Sequence, residues 1–401
     1  MKSEWITKPV GELTSYMSKG IPPKYSNAEN NTTIRVLNQK CNRDFKITYE
    51  YSRLHDLSKK SVPKEKLLRA GDVLINSTGA GTAGRVAQLF EVPCLTTIDG
   101  HMILLRPTSE IEAYYYGYAI KSFQKQIELL AEGSTGQTEI NRKRLSDEIE
   151  ITFPIDLNLQ RQISSIFFAI DEKISTNTKI NENLEQQAQA IFKSWFIDFE
   201  PFGGVMPDDW KSANLLDIAD YLNGLAMQKY RPVNDEVGLP VLKIKELRQG
   251  FCDDNSELCS PNIKGDYIVQ DGDVIFSWSG SLLVDFWCGG KCGLNQHLFK
   301  VSSKSFDKWF YYIWTKYHLN RFIAIAADMA TTMGHIKRSE LEKSLVLIPN
   351  ETDYVEIGNL LKPIYETIII NRIENQRLAT LRDTLLPKLM NGEIDVSQIK
   401  I

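Results

Sequence analysis

His101 and His297 are the first residues of this 401-residue chain to weigh for chemistry, because their contexts match. One lies two residues after Asp99, the other two residues after Asn295. An imidazole held by a carboxylate can act as a general base. The second copy offers an amide where the first offers an acid, which argues against one catalytic dyad used twice. The other histidines, His55, His318 and His335, are scattered.

A second possibility is VLINSTGAGTAGRVAQLFEVP, residues 73–93, where Gly79, Gly81 and Gly84 spell G-x-G-x-x-G after a strand-like run and Asp99 follows. That is the outline of a dinucleotide fingerprint. Such a site needs a long helix directly after the glycines. Here GRVAQLFEVP reads as a strand, and Pro93 leaves too little room for the helix. The corresponding WSGSLLVDF keeps Gly280 and loses the triad. The glycines are therefore expected to shape a tight turn on a β-rich surface, where backbone N–H groups can approach phosphate. No P-loop and no H-E-x-x-H motif occurs. Cys252, Cys259, Cys288 and Cys292 have spacers of six and three residues, not the tight C-x-x-C pair of a zinc site. Free thiols in a reducing compartment are expected.

The elements that must position these residues occur twice. Trp5, Tyr16, Tyr25, Val36 and Leu37 recur as Trp210, Tyr221, Tyr230, Val241 and Leu242. GDVLIN at 71–76 recurs as GDVIFS at 272–277, and IDGHMIL at 98–104 as LNQHLFK at 294–300. Ile140 and Leu145 recur as Ile336 and Leu341. The offset shrinks along the chain, as small loop deletions would cause. Within each copy, short β-rich runs such as DVLI and DVIFSW are separated by Gly and Pro turns. Each copy also holds one helix-like stretch, AYYYGYAIKSFQKQIELLA or KWFYYIWTKYHLNRFIAIAA.

Each copy ends in a longer pattern. Ile163, Phe167, Ile170, Ile174, Asn177, Asn181, Leu184 and Ile191 fall on a heptad seam. Ile357, Leu361, Ile364, Ile368, Asn371, Asn375, Leu378 and Leu385 repeat it. Two long amphipathic helices are expected, with Pro387 distorting or ending the second. Chain order makes them antiparallel if they pack, so Asn177 should meet Asn375 and Asn181 should meet Asn371. Buried amides at a seam cost stability but pin register. The expected fold is α+β: two pseudo-twofold-related globules joined by two long antiparallel coiled-coil helices.

Composition bounds the partners only loosely. The formal charge of −4 gives no global sign of nucleic acid, although ten Lys or Arg face four Asp or Glu between Arg35 and Arg69. NRKR at 141–144 is a second basic spot. No apolar run is long enough to span a membrane. The opening MKSEWITKPV has no signal-peptide core, and a cytoplasmic protein is expected.

The repeat, the long helices and several phrases together resemble the DNA-specificity (S) subunits of type I restriction–modification systems. The phrases are IRVLNQKCNRD, VPKEKLLRAGDVLINSTGAGTAGRVA, YIVQDGDVIFSWSGSLL, WCGGKCGLNQHLF, TTMGHIKRSELE and TLRDTLLPKLMNGEIDV. The likeness covers nearly the whole chain. It implies target-recognition domains at 1–155 and 201–350, a central long helix at 156–200, a C-terminal long helix at 351–391 and a tail at 392–401. Each domain would read one half of a bipartite, asymmetric site in double-stranded DNA. The helices would set the spacing and dock two methyltransferase subunits, and motor-nuclease restriction subunits would complete the complex. No cofactor is expected on this chain; S-adenosylmethionine would belong to the methyltransferase partners.

On that reading the DNA contacts are expected on matching turns. They are Arg35, Gln39, Lys40, Asn76, Ser77, Thr78, Arg85 and His101 in the first copy. In the second they are Lys243, Lys245, Ser277, Ser279, Gln296, His297 and His335. Two rivals stay open at this point: a nucleotide-dependent enzyme using the glycine turn, and a DNA-free scaffold whose helices join two protein-binding domains.

Overall fold

The two heptad patterns become two helices of 40 residues each, Leu157–Phe196 and Glu351–Met390. The computed structural model describes residues 4–79, 81–133, 138–233, 235–328 and 335–396. Two units divide the chain: residues 1–171 with 380–401, and residues 172–379. Each unit therefore holds one globule and a stretch of both long helices.

Within the second unit the helices run antiparallel, and the asparagines meet in the expected pairs. Asn177 Nδ2 donates to Asn375 Oδ1 at 2.9 Å, and Asn371 Nδ2 to Asn181 Oδ1 at 2.9 Å. Asn181 Nδ2 also reaches the Ile368 carbonyl at 3.3 Å. Slipping the register would strand these amides, so the seam is polar where it must be specific. Each seam residue named above is buried or half-buried. Near the end of the first helix, however, the buried stripe moves to Phe192 and Phe196, leaving Ile191 only half-buried. An α-helix turns every 3.6 residues, so a strict 3.5-residue seam drifts by about 20° per heptad. Pro387 does not end the second helix, which continues to Met390. Buried Leu386, Leu389 and Met390 hold that last turn, and Tyr115 Oη donates to the Met390 carbonyl at 3.3 Å.

The globules share one topology. In the first, an antiparallel sheet runs in the spatial order Thr14–Lys19, Met102–Pro107, Val73–Asn76, Val86–Gln88. In the second, Asp220–Asn223, Leu298–Ser302, Val274–Ser277 and Leu283–Phe286 follow the same order. Each also has a parallel pair: Thr33–Leu37 with Thr96–Ile98, and Leu239–Leu242 with Cys292–Leu294. Gly20 and Gly224 sit where a Cβ would strike the carbonyls of Ile98 and Asp99, or of Leu294 and Asn295. Only glycine permits that approach.

Two sequence matches need correction. Tyr16 pairs with Arg106 whereas Tyr221 pairs with Val301, so the residue equivalent to Tyr221 is Met17, opposite Leu105. A one-residue step reverses the face of a strand. Tyr221 is accordingly buried, its hydroxyl 2.7 Å from Thr315 Oγ1, while Tyr16 is half-exposed. Each helix-like stretch also forms two helices instead of one: Ala113–Ser122 and Gln124–Leu129, then Lys308–Tyr317 and Leu319–Asp328. The breaks fall at Phe123 and His318. Among the described residues no helix is long and apolar enough to cross a membrane.

Candidate nucleic-acid interface

The glycine turn leads from strand Val73–Asn76 into strand Val86–Gln88, and no helix follows it. Gly79 and Gly84 adopt φ of +114° and +86°, which side-chain-bearing residues rarely reach. A Cβ on Gly84 would also meet the backbone of Glu128. The loop is thus a tightly folded strand connection, and the dinucleotide outline in the sequence has this structural cause.

At the root of this loop the two histidines find their partners. Thr78 Oγ1 and His101 Nδ1 share a hydrogen bond of 2.9 Å. In the second globule Ser279 Oγ and His297 Nδ1 share one of 3.0 Å. The backbone N–H of His101 donates to Asp99 Oδ1 at 2.9 Å, and that of His297 to Asn295 Oδ1 at 3.3 Å. Burial raises the Asp99 carboxyl above its usual range, against the backbone hydrogen bond from His101. Acid and amide both serve as acceptors for a main-chain N–H, which explains how Asp and Asn alternate at this position. In that role the Asp99 carboxylate shapes the turn; a triad would instead need it to orient the ring.

One more backbone segment closes each site. Thr78 bridges Glu139, and Ile140 N–H donates to the Ser77 carbonyl at 2.8 Å. Ser279 bridges His335, and Ile336 N–H donates to the Trp278 carbonyl at 2.9 Å. One frame is therefore built twice with different side chains. Ser77, whose buried hydroxyl has no partner among the described residues, corresponds to Trp278. The Trp278 ring lies beside His297, His335 and Phe299, and its N–H donates to Asn223 Oδ1 at 3.0 Å.

The expected contact residues separate by exposure. Asn76, Ser77, Ser277 and Ser279 are buried, and a buried side chain cannot meet a base edge. Asn76 instead donates to the Gln39 carbonyl at 3.1 Å and accepts from Asn42 Nδ2 at 3.2 Å. Ser277 Oγ donates to the Ser281 carbonyl at 2.9 Å. Asn76, Ser277 and Ser279 thus hold the loops that present their neighbours. Lys40, His101 and Lys245 are exposed. Arg35, Gln39, Thr78, Arg85, Lys243, Gln296, His297 and His335 are half-buried. Several are already engaged: Arg35 with Glu29 at 2.7 Å, Lys243 with Glu257, and Lys245 with Asp253 at 3.1 Å. Those three cations are partly neutralised.

Sequence reasoning passed over Asn42. Its amide also donates to the Arg85 carbonyl at 2.8 Å, tying the strand Asn42–Arg43 to the glycine loop. The hairpin it starts has no counterpart in the second copy, so the repeat could not reveal it. Cys252 and Cys292 lie side by side; burial raises the Cys292 thiol, and the contact with Cys292 lowers that of Cys252. No group of three His, Cys, Asp or Glu among the described residues is placed to hold a metal ion.

This doubled frame has known relatives. The model of the type I restriction modification DNA specificity domain matches residues 2–186 and 207–380, and the chain belongs to that family. It is 28% identical over 326 residues to the type I restriction enzyme MjaIX specificity subunit of Methanocaldococcus jannaschii, covering 76% of this chain and 74% of that one. It is 21% identical to the HindI specificity subunit of Haemophilus influenzae, over 98% of this chain and 100% of that one. The solved S subunit of a type I restriction-modification system from M. genitalium has the same fold, with a TM-score of 0.60 at 15% identity and coverage of 97% and 96%.

Proposed function

We propose that this chain is the sequence-reading component of a type I restriction–modification complex, each globule reading one half of a bipartite, asymmetric DNA site. As a specificity component it selects the site and leaves catalysis to other subunits. The observation that carries the reading is the frame built twice with unlike side chains. Thr78, His101 and Glu139 stand in one copy; Ser279, His297 and His335 stand in the other, beside Trp278. Equal frames suit equal docking on a duplex, and unlike side chains suit unlike base sequences. Arg35, Gln39, Lys40, Thr78, Arg85 and His101 are the contacts in the first globule; Lys243, Lys245, Gln296, His297 and His335 serve the second.

The long helices set the separation of the half-sites and seat two methyltransferase subunits. Those subunits bring S-adenosylmethionine, and motor-nuclease subunits complete the assembly in the cytoplasm. The DNA-free scaffold has nothing in its favour that explains the divergence of side chains on a kept frame. The decisive experiment maps methylated adenines in a host genome expressing the chain with its methyltransferase. Exchange of the second globule alone should change one half-site and keep the other. A pattern in which both halves change together would sink the reading.

A further inference from the structure

The first unit contains a cavity of about 310 Å³ lined by Arg43, Asp44, Arg85, Val86, Lys121 and Gln124. Three cations thus share one space with one carboxylate. None of the three forms an ion pair with any carboxylate among the described residues, although such pairs are frequent elsewhere in the chain. Arg85 gives one N–H to the Gly81 carbonyl at 3.1 Å, and Lys121 reaches Gln124 Oε1 only at 3.5 Å.

The second unit shows what normally satisfies such a lysine. Helices Ala113–Ser122 and Lys308–Tyr317 have equal lengths and equivalent ends, which makes Lys121 the counterpart of Lys316. Lys316 pairs with Glu185 at 3.2 Å, Glu185 with Arg372 at 2.8 Å, and Arg372 with Asp285 at 2.6 Å. By strand register Asp285 corresponds to Ala87. By the long-helix repeat Glu185 corresponds to Ala379 and Arg372 to Thr178. The first copy has kept the lysine, lost the acids and added Arg43 from a hairpin the second copy lacks.

We propose that this cavity is a phosphate-binding site, and that its occupant is a backbone phosphate of the DNA read by the first globule. The identification of DNA as the source rests on the proposed function. Two guanidiniums and an ammonium supply the forked and point-charge donors that phosphate oxygens accept. Arg85 links the cavity to the reading loop, because Asn42 and Asn76 fix its main chain at the foot of the glycine turn. Burial holds the Lys121 ammonium below its ordinary value and nearby Arg382 adds to that, while Asp383, Asp44 and Asp171 offset only part of the penalty; a bound anion would relieve the remainder.

The test has two arms on the full chain. In the first, inorganic phosphate is titrated calorimetrically at constant ionic strength into wild type, Arg43→Gln, Lys121→Gln and, as a control outside the cavity, Lys64→Gln. Saturable binding lost in the two cavity variants and kept in Lys64→Gln supports the site. Absence of phosphate binding, or binding unaffected by the cavity variants, overturns it. The second arm measures affinity for duplex DNA against salt. Each lost phosphate contact should make the slope of log K against log salt shallower by about 0.9. An unchanged slope with phosphate binding intact refutes DNA as the occupant and leaves a free phosphate ligand. A chain that binds phosphate here and no DNA retires the proposed function while the cavity stands. Circular dichroism of each variant confirms folding.

Discussion

Lys121 and Lys316 occupy equivalent positions on equivalent helices, yet their surroundings are opposite. Lys316 belongs to a chain of charges that ends at Asp285 and joins a sheet strand to both long helices. Lys121 makes no ion pair among the described residues and shares its cavity with Arg43, Arg85 and a single carboxylate, Asp44. The first unit fastens its helices elsewhere, through Arg382 to Asp171 at 2.7 Å, with the Tyr118 hydroxyl donating to the same carboxylate at 2.8 Å. A duplicated frame can therefore keep its geometry while the charges inside it are reassigned. In the second copy they stabilise the junction; in the first they are left for a ligand.

Three measurements probe that contrast. The largest effect is expected from Arg372→Ala. Glu185 and Asp285 are about three-quarters buried and would lose their shared partner. A fully buried pair would cost about 3–5 kcal/mol to break; with partial exposure, about 2 kcal/mol of chemical-denaturation stability should be lost. A loss near zero would mean that the network is solvated and ornamental.

Next comes the pair Lys316→Ala and Lys121→Ala. The first removes one end of a partly exposed ion pair and should cost about 1 kcal/mol or less. The second removes a half-buried cation that makes no direct ion pair among the described residues, and should be neutral or slightly stabilising in the absence of phosphate. Equal destabilisation by both would erase the distinction between the units.

The smallest effect concerns pH. The Glu374 carboxyl is held below its ordinary value by the hydrogen bond from Asn177, against some desolvation, with Lys173 beside it. A depressed carboxyl contributes stability above its unfolded value of about 4.3, which is lost as pH falls through the lower folded value. Asn177→Ala should therefore lose part of the acid sensitivity of wild type, so that the two melting temperatures converge as pH falls. If Asn177→Ala keeps the full acid dependence, the seam amide does not bind that carboxylate in solution.

The relation between sequence and structure differs from element to element. The seam asparagines were legible because heptad spacing and chain order together leave one antiparallel register. Val36 and Val241 were legible as a repeat because each sits in the same parallel pair, and Ile140 and Ile336 because each donates its N–H to the carbonyl just after the matched central strand. Tyr16 and Tyr221 misled, since a match of residue type carries no information on the face of a strand. The loops that carry the candidate residues were legible in the sequence; the burial of Asn76, Ser77, Ser277 and Ser279 was not, because it depends on neighbours distant in the chain.

The sequence by itself determined two similar α+β halves, each followed by a long heptad helix, because periodicity and repetition are properties of the chain. Only the tertiary structure decided which charges neutralise one another. Glu185 and Asp285 are a hundred residues apart in sequence and share one arginine; Arg43, Arg85 and Lys121 are likewise distant and share one cavity. Electrostatic partnership depends on distance in space and on access to water, and neither can be read along a chain.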